Sequence, residues 1–407
     1  MITPDNYPRS IAMRPQQKIK RAIKSFAFLS LSSLALYLVL GEVFFRFVIP
    51  AARYPWGYYD SQEQIPRFDL GQGSGVATIG KLAQRRVRWQ INNAGWNSAV
   101  DYFQRGRRTK PVIAIIGDSY IEALQVDIRD NIASVLGAKV EDQYDVYSFG
   151  RSGAPLSEYL QMSRYVVKYF DPEVIVVNVV DNDFDESLSS VRSVPYFVTL
   201  ETAGSNLEES ALPAKPVSAK LTTKLIFASA IFRYLWHNLS YGERWTELRP
   251  LQSKVKAVEE GESDSPHLTN EIYRAAEYVV KTMRANTMGK ELIFMIDAPR
   301  RDIYAGTVQI SNVLWMNKLL RELTERYQAR FVDLTAPFWK TYQENERRFN
   351  YQHDYHWNEE GHKYAAEVLY RNLIAFGIVK NSRSLVSGHV LNSNVAVSVR
   401  GENAAAD

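Results

Sequence analysis

Between residues 110 and 377 the chain alternates between short apolar runs and longer amphipathic segments. Five short runs are apolar and rich in β-branched residues, which predicts buried strands of a parallel sheet. They are 111–117, 144–149, 173–180, 291–297 and 330–334. The amphipathic segments predict helices over approximately 156–170, 271–287, 311–328 and 359–376. This alternation predicts an α/β fold, a three-layer α/β/α sandwich around a five-stranded parallel sheet.

The last helix carries its own start and stop signals. Asn358 suits the N-cap position, and Glu359 and Glu360 place negative charge in the first turn, where the helix dipole favours it. Gly377 lies just past the apolar face and predicts the end of the helix.

A long apolar stretch precedes this region. Residues 25–41 carry no charge, and apolar residues continue to Pro50 with only Glu42 and Arg46 between them. About 20 apolar residues cross a bilayer as a helix, so we expect a transmembrane anchor over 25–48. The alternative is a cleaved signal peptide, but the apolar core is long for one and Ile49–Ala52 is a poor cleavage site.

Charge predicts the orientation of this anchor. Residues 1–24 form a basic tail with six lysines and arginines and a single acid, Asp5. Under the positive-inside rule the tail is cytoplasmic, and the chain after Pro50 lies outside, in the periplasm of a bacterial envelope. We expect a single-pass protein of the inner or plasma membrane.

Two further regions are less regular. Residues 49–109 are interpreted as a linker and an N-terminal extension, with an ordered turn over 91–97. The basic cluster at 105–108 could face anionic headgroups or an acidic glycan, or be a solvated loop.

Within the predicted domain, 110–376, the alternation breaks at an insertion over 185–270. Its apolar and aromatic segment 221–239 is either a lid or substrate wall, or a surface helical pair with its own small core. Residues 377–407 are small, polar and patternless, which predicts a disordered tail.

Composition narrows the classes of function. The hydrophobic content of 46% is enough for a sizeable core, and the absence of cysteine excludes disulfides and thiolate chemistry. The formal net charge is +4, and the basic tail accounts for all of the excess. A nearly neutral body gives no electrostatic reason to expect nucleic-acid binding.

The candidate chemistry lies at the ends of strands. The first strand ends in Gly117-Asp118-Ser119, and Asp354 and His356 precede the last helix. Open α/β sheets bind ligands at the carboxyl ends of their strands. A serine hydroxyl becomes a useful nucleophile when a histidine takes its proton and a carboxylate orients that histidine.

Four landmarks in this order resemble the SGNH (GDSL-type) hydrolase superfamily, over about residues 110–376. They are Gly-Asp-Ser after the first strand, a glycine turn after the second, Asn-Asp after the third and Asp-x-His before the last helix. The resemblance implies a flavodoxin-like fold. The family more often has Asp-x-x-His, and its Gly-x-Asn-Asp motif has Val180 here in the first position.

Carried over by residue, the resemblance implies a role for each landmark. Ser119 would be the nucleophile, His356 the general base and Asp354 its orienting carboxylate. The oxyanion hole would be formed by the N–H groups of Ser119 and Gly153 and the amide of Asn182. Fixed donors of this kind stabilise the charge that develops on a tetrahedral intermediate.

Other side chains have alternative interpretations. Asp118 and Arg300, or its neighbour Arg301, are candidates for substrate contacts, with a rim salt bridge as the alternative for the arginines. Ser152 lies in a near match to Gly-x-Ser-x-Gly, but that motif would leave the Gly-Asp-Ser strand end unexplained.

Metal and cofactor chemistry is not expected. His353, His356, His362 and Glu359 include metal-ligand types but fit no dedicated spacing, so His362 is interpreted as a packed or capping histidine. We expect no metal and no cofactor.

The sequence therefore predicts a membrane-anchored serine esterase with an ester substrate, such as an O-acetyl group of an envelope or exported polysaccharide. Lipid ester hydrolysis is a second possibility. An O-acetyltransferase with the same triad, served by an acyl-donating membrane partner, is another. A catalytically inactive SGNH glycan-binding or scaffold module is the alternative outside enzymes.

Overall fold

The structure is a computed structural model that describes residues 15–203, 206–239, 266–352 and 354–381. In its first part the elements are α1 (Pro15–Phe47), β1 (Gly57–Asp60), β2 (Ile65–Phe68), β3 (Ser74–Ile79), β4 (Arg85–Gln90), β5 (Val112–Gly117), α2 (Ser119–Glu122), α3 (Ile132–Val140), β6 (Asp145–Gly150), α4 (Glu158–Phe170), β7 (Val174–Val179) and α5 (Asn182–Asp185). They continue with β8 (Leu200–Ala203), β9 (Asn206–Glu209), β10 (Val217–Ser218), α6 (Leu221–Ile226), α7 (Ala230–Arg233), a π-helix (Tyr234–Asn238), α8 (Pro266–Asn286), β11 (Glu291–Ile296), α9 (Arg300–Ala305), α10 (Leu314–Arg326), β12 (Arg330–Asp333), α11 (Thr335–Asn345), β13 (Asn350–Tyr351), β14 (Asp354–Trp357) and α12 (Glu359–Ala375).

The chain divides into two compact units. One comprises residues 1–53, 78–86 and 220–247, and the other comprises 54–77, 87–219 and 248–407. The first unit contains α1, whose segment Ile19–Phe47 is long and apolar enough to cross a membrane, with a mean hydropathy of 1.9 in its most apolar window. The helix begins at Pro15, so the last part of the predicted basic tail is helical, while residues 1–14 lie outside the described residues.

The second unit is built on a five-stranded parallel sheet with the strand order β12-β11-β7-β5-β6. Numbered along the sheet strands alone, this is the 2-1-3-4-5 order of flavodoxin-like doubly wound folds. All six residues of β5 and all six of β7 are buried, as continuous apolar runs predict for strands covered on both faces. The predicted three-layer α/β/α architecture is confirmed.

Alternate residues of the central strands pack into two separate cores. Ala114 and Ile116 of β5 face the core that is covered by α4, α8 and α10, whereas Ile113 and Ile115 face the core under α3, α11 and α12. This alternation is the period-2 geometry of a strand with apolar residues on both faces. Of the covering helices, α3 and α11 are absent from the sequence prediction.

The ends of the last helix agree with the prediction. The Asn358 side chain accepts the N–H of Gly361 at 2.8 Å, which is an N-cap bond, and Gly377 follows the helix with a φ of 74°. Residues 382–407, most of the predicted disordered tail, lie outside the described residues.

A tyrosine occupies the free edge of strand β6. The hydroxyl of Tyr102 accepts the backbone N–H of Ser148 at 2.7 Å and donates to the carbonyl of the same residue at 2.8 Å. The Tyr102 ring stacks on that of Tyr147, with ring centroids 4.1 Å apart. The side chain thus satisfies both backbone groups that another strand would pair with at this position.

The loops of the extension are held in the same unit. The predicted turn over 91–97 is ordered around the fully buried Trp96, and the Asn92 side chain accepts the N–H groups of Ala94 and Trp96 at 3.0 Å. In the basic cluster, Arg105 and Arg108 form ion pairs with Asp171 and Glu173. The cluster is therefore engaged with the protein's own carboxylates.

The end of β6 requires a glycine. A Cβ on Gly150 would lie 1.9 Å from the backbone nitrogen of Glu122 and 2.3 Å from the carbonyl carbon of Ile121. These are backbone atoms of the segment that follows β5, so neither can move without displacing the loop. The end of β6 and helix α2 can approach this closely only because no side chain intervenes.

We expect Gly150→Ala to lower the free energy of unfolding by about 1–3 kcal/mol, since overpacking against backbone forces a local shift. Thermal unfolding of the full chain measures the change. Gly106→Ala is the matched control, because a Cβ there meets nothing within 4 Å and should leave the melting temperature nearly unchanged. Equal melting temperatures for the two variants would contradict the expectation.

Candidate active site

Ser119 lies at the turn from strand β5 into helix α2. It is the first residue of that helix, and Asp118 is the N-cap, with its side chain accepting the N–H of Tyr120 at 3.0 Å. Gly117, the last residue of β5, pairs in register with Gly150, the last residue of β6. The serine is therefore held at the carboxyl edge of the sheet, where open α/β folds place their ligands.

The structure brings together the three predicted triad residues. The Nε2 atom of His356 lies 2.8 Å from the Oγ atom of Ser119, and its Nδ1 atom lies 2.6 Å from Oδ1 of Asp354. With its Nδ1–H donated to the carboxylate, the imidazole presents an Nε2 lone pair to the serine hydroxyl. This is the geometry that general-base activation of a serine requires.

The short Asp-x-His spacing is explained by a strand. Asp354 and His356 both lie on β14, where residues two apart point to the same side. The same carboxylate oxygen also accepts the backbone N–H of His356 at 3.0 Å. One aspartate thus holds both the ring and the backbone of the histidine.

Asp118 provides a second acceptor for the serine. Its Oδ2 atom lies 3.0 Å from Oγ of Ser119, and the residue is 4% exposed. Burial raises the pKa of the Asp118 carboxyl to about 6, against the opposing effects of the Tyr120 N–H and the charge of His356. The structure places this side chain in the interior, so the expected substrate contact is replaced by a contact with the nucleophile.

The two predicted oxyanion loops flank the serine. Gly153 follows β6 and Asn182 begins α5 after β7, and these strands are the two neighbours of β5 in the sheet. Gly153 has a φ of 76°, and a Cβ on it would lie 2.8 Å from the guanidinium of Arg192. The positive φ favours glycine at this position, whereas the arginine side chain could move aside.

Arg192 is a neighbour of this loop that sequence reasoning missed. Its guanidinium forms an ion pair with Glu186, and burial raises the pKa of the Glu186 carboxyl despite that pairing. The residue lies within the irregular insertion, where no motif or period marks it.

A buried carboxyl lies next to Asn182. The Oδ2 atom of Asp183 accepts the hydroxyl of Tyr159 at 2.8 Å and the N–H of Val180 at 2.9 Å. Burial raises the pKa of Asp183 well above its ordinary value. These bonds fix the loop between β7 and α5, which carries Asn182.

Glu122 connects the segment after the nucleophile to the Gly153 loop. It is buried, and its carboxylate accepts Nη1 of Arg151 at 2.7 Å and the hydroxyl of Ser152. The backbone carbonyl of Glu122 accepts the amide of Asn97 at 2.8 Å, from the ordered turn of the extension. Ser152, the rejected alternative nucleophile, is therefore bound to a glutamate.

Arg300 is part of a buried polar network and does not face solvent. Its guanidinium contacts Oδ2 of Asp297 at 2.9 Å and donates to the hydroxyl of Tyr120. Arg300 forms the ion pair that the salt-bridge interpretation expects, but the pair is buried and does not lie at the rim, and the substrate contact of Arg300 stays a prediction. Arg301 is exposed, and its guanidinium lies 3.7 Å from the centre of the Tyr355 ring.

The network reaches the strand that carries the histidine at two points. The indole N–H of the fully buried Trp357 donates to Oδ1 of Asp297 at 2.9 Å. The hydroxyl of Tyr120 donates to the carbonyl of Tyr355 at 2.9 Å. Residues on both sides of His356 are thus tied to the segments that follow β5 and β11.

His362 is a packed histidine. It is buried, its Nδ1 atom accepts the N–H of Ile132 at 3.3 Å, and burial lowers the pKa of its ring to about 3. Among the described residues, no group of three or more histidine, aspartate and glutamate side chains is arranged to hold a metal ion. His353 lies outside the described residues.

A cavity of about 830 Å³ lies elsewhere in this unit, between α3 and the edge of β6. Its lining includes Phe103, Arg129 and Glu141 but neither Ser119 nor His356. It therefore does not define the reactive centre.

A Ser-His-Asp arrangement on a 2-1-3-4-5 sheet, with glycine and asparagine loops beside the serine, is similar to the arrangement that the SGNH (GDSL-type) resemblance of the sequence implies. Searches found no matching family model and no matching curated protein.

Solved structures to which the chain is similar include a lipase/acylhydrolase from Enterococcus faecalis, with 11% identity, 67% and 98% of the two chains covered and a TM-score of 0.38. A member of the lipolytic G-D-S-L family from Veillonella parvula has 10% identity, coverage of 64% and 96% and a TM-score of 0.35. A lipase from the goat rumen metagenome has 12% identity, coverage of 64% and 97% and a TM-score of 0.38. TM-scores this low establish no relationship, so the class rests on the chain's own strand order and side-chain geometry.

We expect the Asp118 carboxyl to make stability depend on pH. With its pKa raised from 3.8 to about 6, it keeps a proton in the folded state that the unfolded state loses. Its contribution is complete below pH 3.8 and is lost as the pH rises through about 6, at a cost of about 3 kcal/mol. Asp118→Asn cannot titrate and should be more stable than the wild type at pH 7 by up to that amount.

Thermal unfolding of both proteins from pH 4 to pH 8 measures this effect. Near pH 4 the two should converge, and exposed Asp142→Asn, as a control, should follow the wild type throughout. Parallel curves for Asp118→Asn and the wild type would contradict the assignment.

We also expect Tyr120 to position His356. Tyr120→Phe removes the hydroxyl that bonds to Tyr355, and Tyr144→Phe removes a similar bond to the carbonyl of Ile378, at 3.2 Å. Each should cost about 0.5–1.5 kcal/mol of stability. Only Tyr120→Phe should lower kcat for ester hydrolysis and alter the pH profile of kcat. Equal kcat losses in both variants would show a merely structural effect.

Proposed function

We propose that this chain is a membrane-anchored, extracytoplasmic serine esterase that acts on O-acyl groups, in particular O-acetyl groups, of cell-envelope or exported polysaccharide. The observation that carries the proposal is the continuous hydrogen-bonded series from Asp354 through His356 to Ser119, with separations of 2.6 and 2.8 Å. Each member stands in the orientation that its role demands.

The first half of the reaction forms an acyl-enzyme. The Oγ atom of Ser119 bonds to the ester carbonyl carbon while its proton passes to Nε2 of His356. The resulting imidazolium is stabilised by Asp354. When the tetrahedral intermediate collapses, the carbon–oxygen bond to the alcohol breaks, and the leaving oxygen takes the proton from His356.

The loops beside the serine stabilise the charge of that intermediate. We assign the N–H groups of Ser119 and Gly153 and the amide of Asn182 as donors to the oxyanion. Removing one such donor costs on the order of 10²–10³ in rate. The bonds of Asp183 and Glu122 hold these loops in place before substrate binds.

The second half of the reaction transfers the acyl group. His356 takes a proton from an incoming hydroxyl, whose oxygen bonds to the acyl carbon, and the imidazolium then returns this proton to Oγ of Ser119 as the bond between the acyl carbon and Ser119 breaks. With water the product is a free acid, and with a sugar hydroxyl it is a new ester. An O-acetyltransferase is therefore the second candidate, with an acyl-donating membrane partner supplying the acyl group.

The proposed location rests on α1 and the charges around it. The uncharged stretch 25–41 is preceded by the basic residues of 1–24, and under the positive-inside rule this charge supports a cytoplasmic N-terminus. The catalytic unit then lies outside, beside envelope glycans. This location is the reason for choosing a polysaccharide ester over a lipid ester.

Turnover of p-nitrophenyl acetate by the purified full chain tests the esterase. We expect Ser119→Ala and Asp354→Asn to lower kcat by about 10³-fold or more, because each removes a member of one catalytic series. The exposed substitution Asp142→Asn should retain full turnover.

Labelling with a fluorophosphonate, followed by mass spectrometry, identifies the reactive serine. Modification of Ser119 in the wild type, and its loss in Asp354→Asn, is the expected result. Modification of Ser152 would overturn the assignment, and neither turnover nor labelling would indicate an inactive glycan-binding module.

A further inference from the structure

We propose that the segment 220–239 is a membrane-interface element that rests on the anionic lipid surface around α1. The proposal goes beyond the esterase activity, and it depends only on the assignment of α1 as a membrane span. It concerns the unit that contains α1, residues 78–86 and residues 220–247.

The segment is bound to the end of the apolar helix. The carboxylate of Glu42, in α1, accepts the backbone N–H of Ala230 at 2.8 Å and the hydroxyl of Ser229 at 3.0 Å. A Cβ on Gly41 would lie 3.1 Å from Ile231, so the absence of a side chain there permits close packing. Phe45 stacks on Tyr234, with centroids 4.0 Å apart.

A second set of bonds fixes the other end of the segment. The side chain of Asn238 accepts the N–H of Ala52 at 2.9 Å and donates to the carbonyl of Gly80 at 3.1 Å. Residues 229–238 of the segment are therefore held against residues 41–52. These contacts attach the segment to the helix of its own unit, and the two interpretations of 221–239, a lid or substrate wall and a surface helical pair, stay open.

This position corresponds to the edge of a bilayer. The uncharged stretch 25–41 suffices for the hydrocarbon core, and charge first returns at Glu42 and Arg46. Groups packed on residues 41–52 therefore lie at the level of the lipid headgroups.

The exposed face of the segment is apolar. Leu221 and Leu225, one turn apart on α6, are 72% and 65% exposed, and Ile226 is 51% exposed. Among the described residues of this unit they form an apolar surface beside the span. Large aliphatic side chains at headgroup depth bind by burial in the boundary between headgroups and acyl chains.

The charges of the same unit fit anionic lipid. Segment 220–239 contains Lys220, Lys224 and Arg233 and no acidic residue. The adjoining stretch 78–86 adds Lys81, Arg85 and Arg86, again with no acid. Each basic side chain near an anionic surface adds electrostatic attraction to it. Exposed leucines together with an excess of basic over acidic residues in these two stretches favour an anionic phospholipid bilayer as the surface that binds here.

Nitroxide accessibility in the full chain tests this proposal directly. The chain has no cysteine, so single-cysteine variants can be labelled without removing any native residue. Leu225→Cys reports on the proposed surface and Leu31→Cys on the middle of the span. Met288→Cys, at a 78% exposed site in the other unit, is the aqueous control. Each is reconstituted in nanodiscs of mixed anionic and zwitterionic phospholipid.

For each label the measured quantity is the ratio of its collisions with oxygen to its collisions with a water-soluble nickel chelate. We expect this ratio to be several-fold higher for the Leu225 label than for the Met288 label. Nanodiscs of purely zwitterionic lipid should reduce that ratio. Leu225 values equal to those of Met288 would overturn the proposal while leaving the esterase assignment intact. A water-like Leu31 would overturn the span, and the interface proposal with it.

Discussion

The hydrogen bond between His356 and Ser119 joins side chains 237 residues apart, and the described architecture around it fixes its two ends. The serine end depends on the sheet, because β5 delivers Ser119 at the edge where its neighbours also terminate. The histidine lies on strand β14, which is outside that sheet, and its position needs separate support. Asp297 supplies it through Trp357, and Tyr120 supplies it through the carbonyl of Tyr355. A distance of 2.8 Å is thus maintained by bonds that do not themselves react.

The site concentrates carboxyl groups that are costly to bury. Asp118 and Asp183 both have pKa values raised by desolvation, and Asp297 is buried against Arg300. Such groups reduce stability when ionised, and a sequence selected for stability alone would replace them. Each of these three carboxyl groups holds a part of the site in place. Asp118 contacts the nucleophile, Asp183 holds the Asn182 loop, and Asp297 holds the histidine strand.

The sheet strands and the last helix with its cap could be predicted because each depends on local pattern, whereas the three candidate triad side chains were assigned from an order of motifs that resembles the SGNH superfamily. A buried parallel strand is apolar throughout, and Asp-x-His places two side chains on one side of any strand. Arg300 shows the limit of this reasoning. Its sequence position at a strand end suits a substrate contact, and only tertiary packing turns it inward to Asp297. The contact between segment 220–239 and Glu42 is likewise non-local, and no periodicity encodes it.

Tyr102 has a consequence for proteins crowded together on a surface. A parallel sheet ends in a strand whose outward backbone groups can recruit a strand from a neighbouring molecule. The proposed membrane tether would confine molecules to two dimensions and make such encounters frequent. The hydroxyl of Tyr102 is bonded to both backbone groups of Ser148 and thereby blocks the pairing of another strand at the middle of β6. The phenol thereby hinders strand pairing between molecules, a protection that a freely diffusing protein needs less.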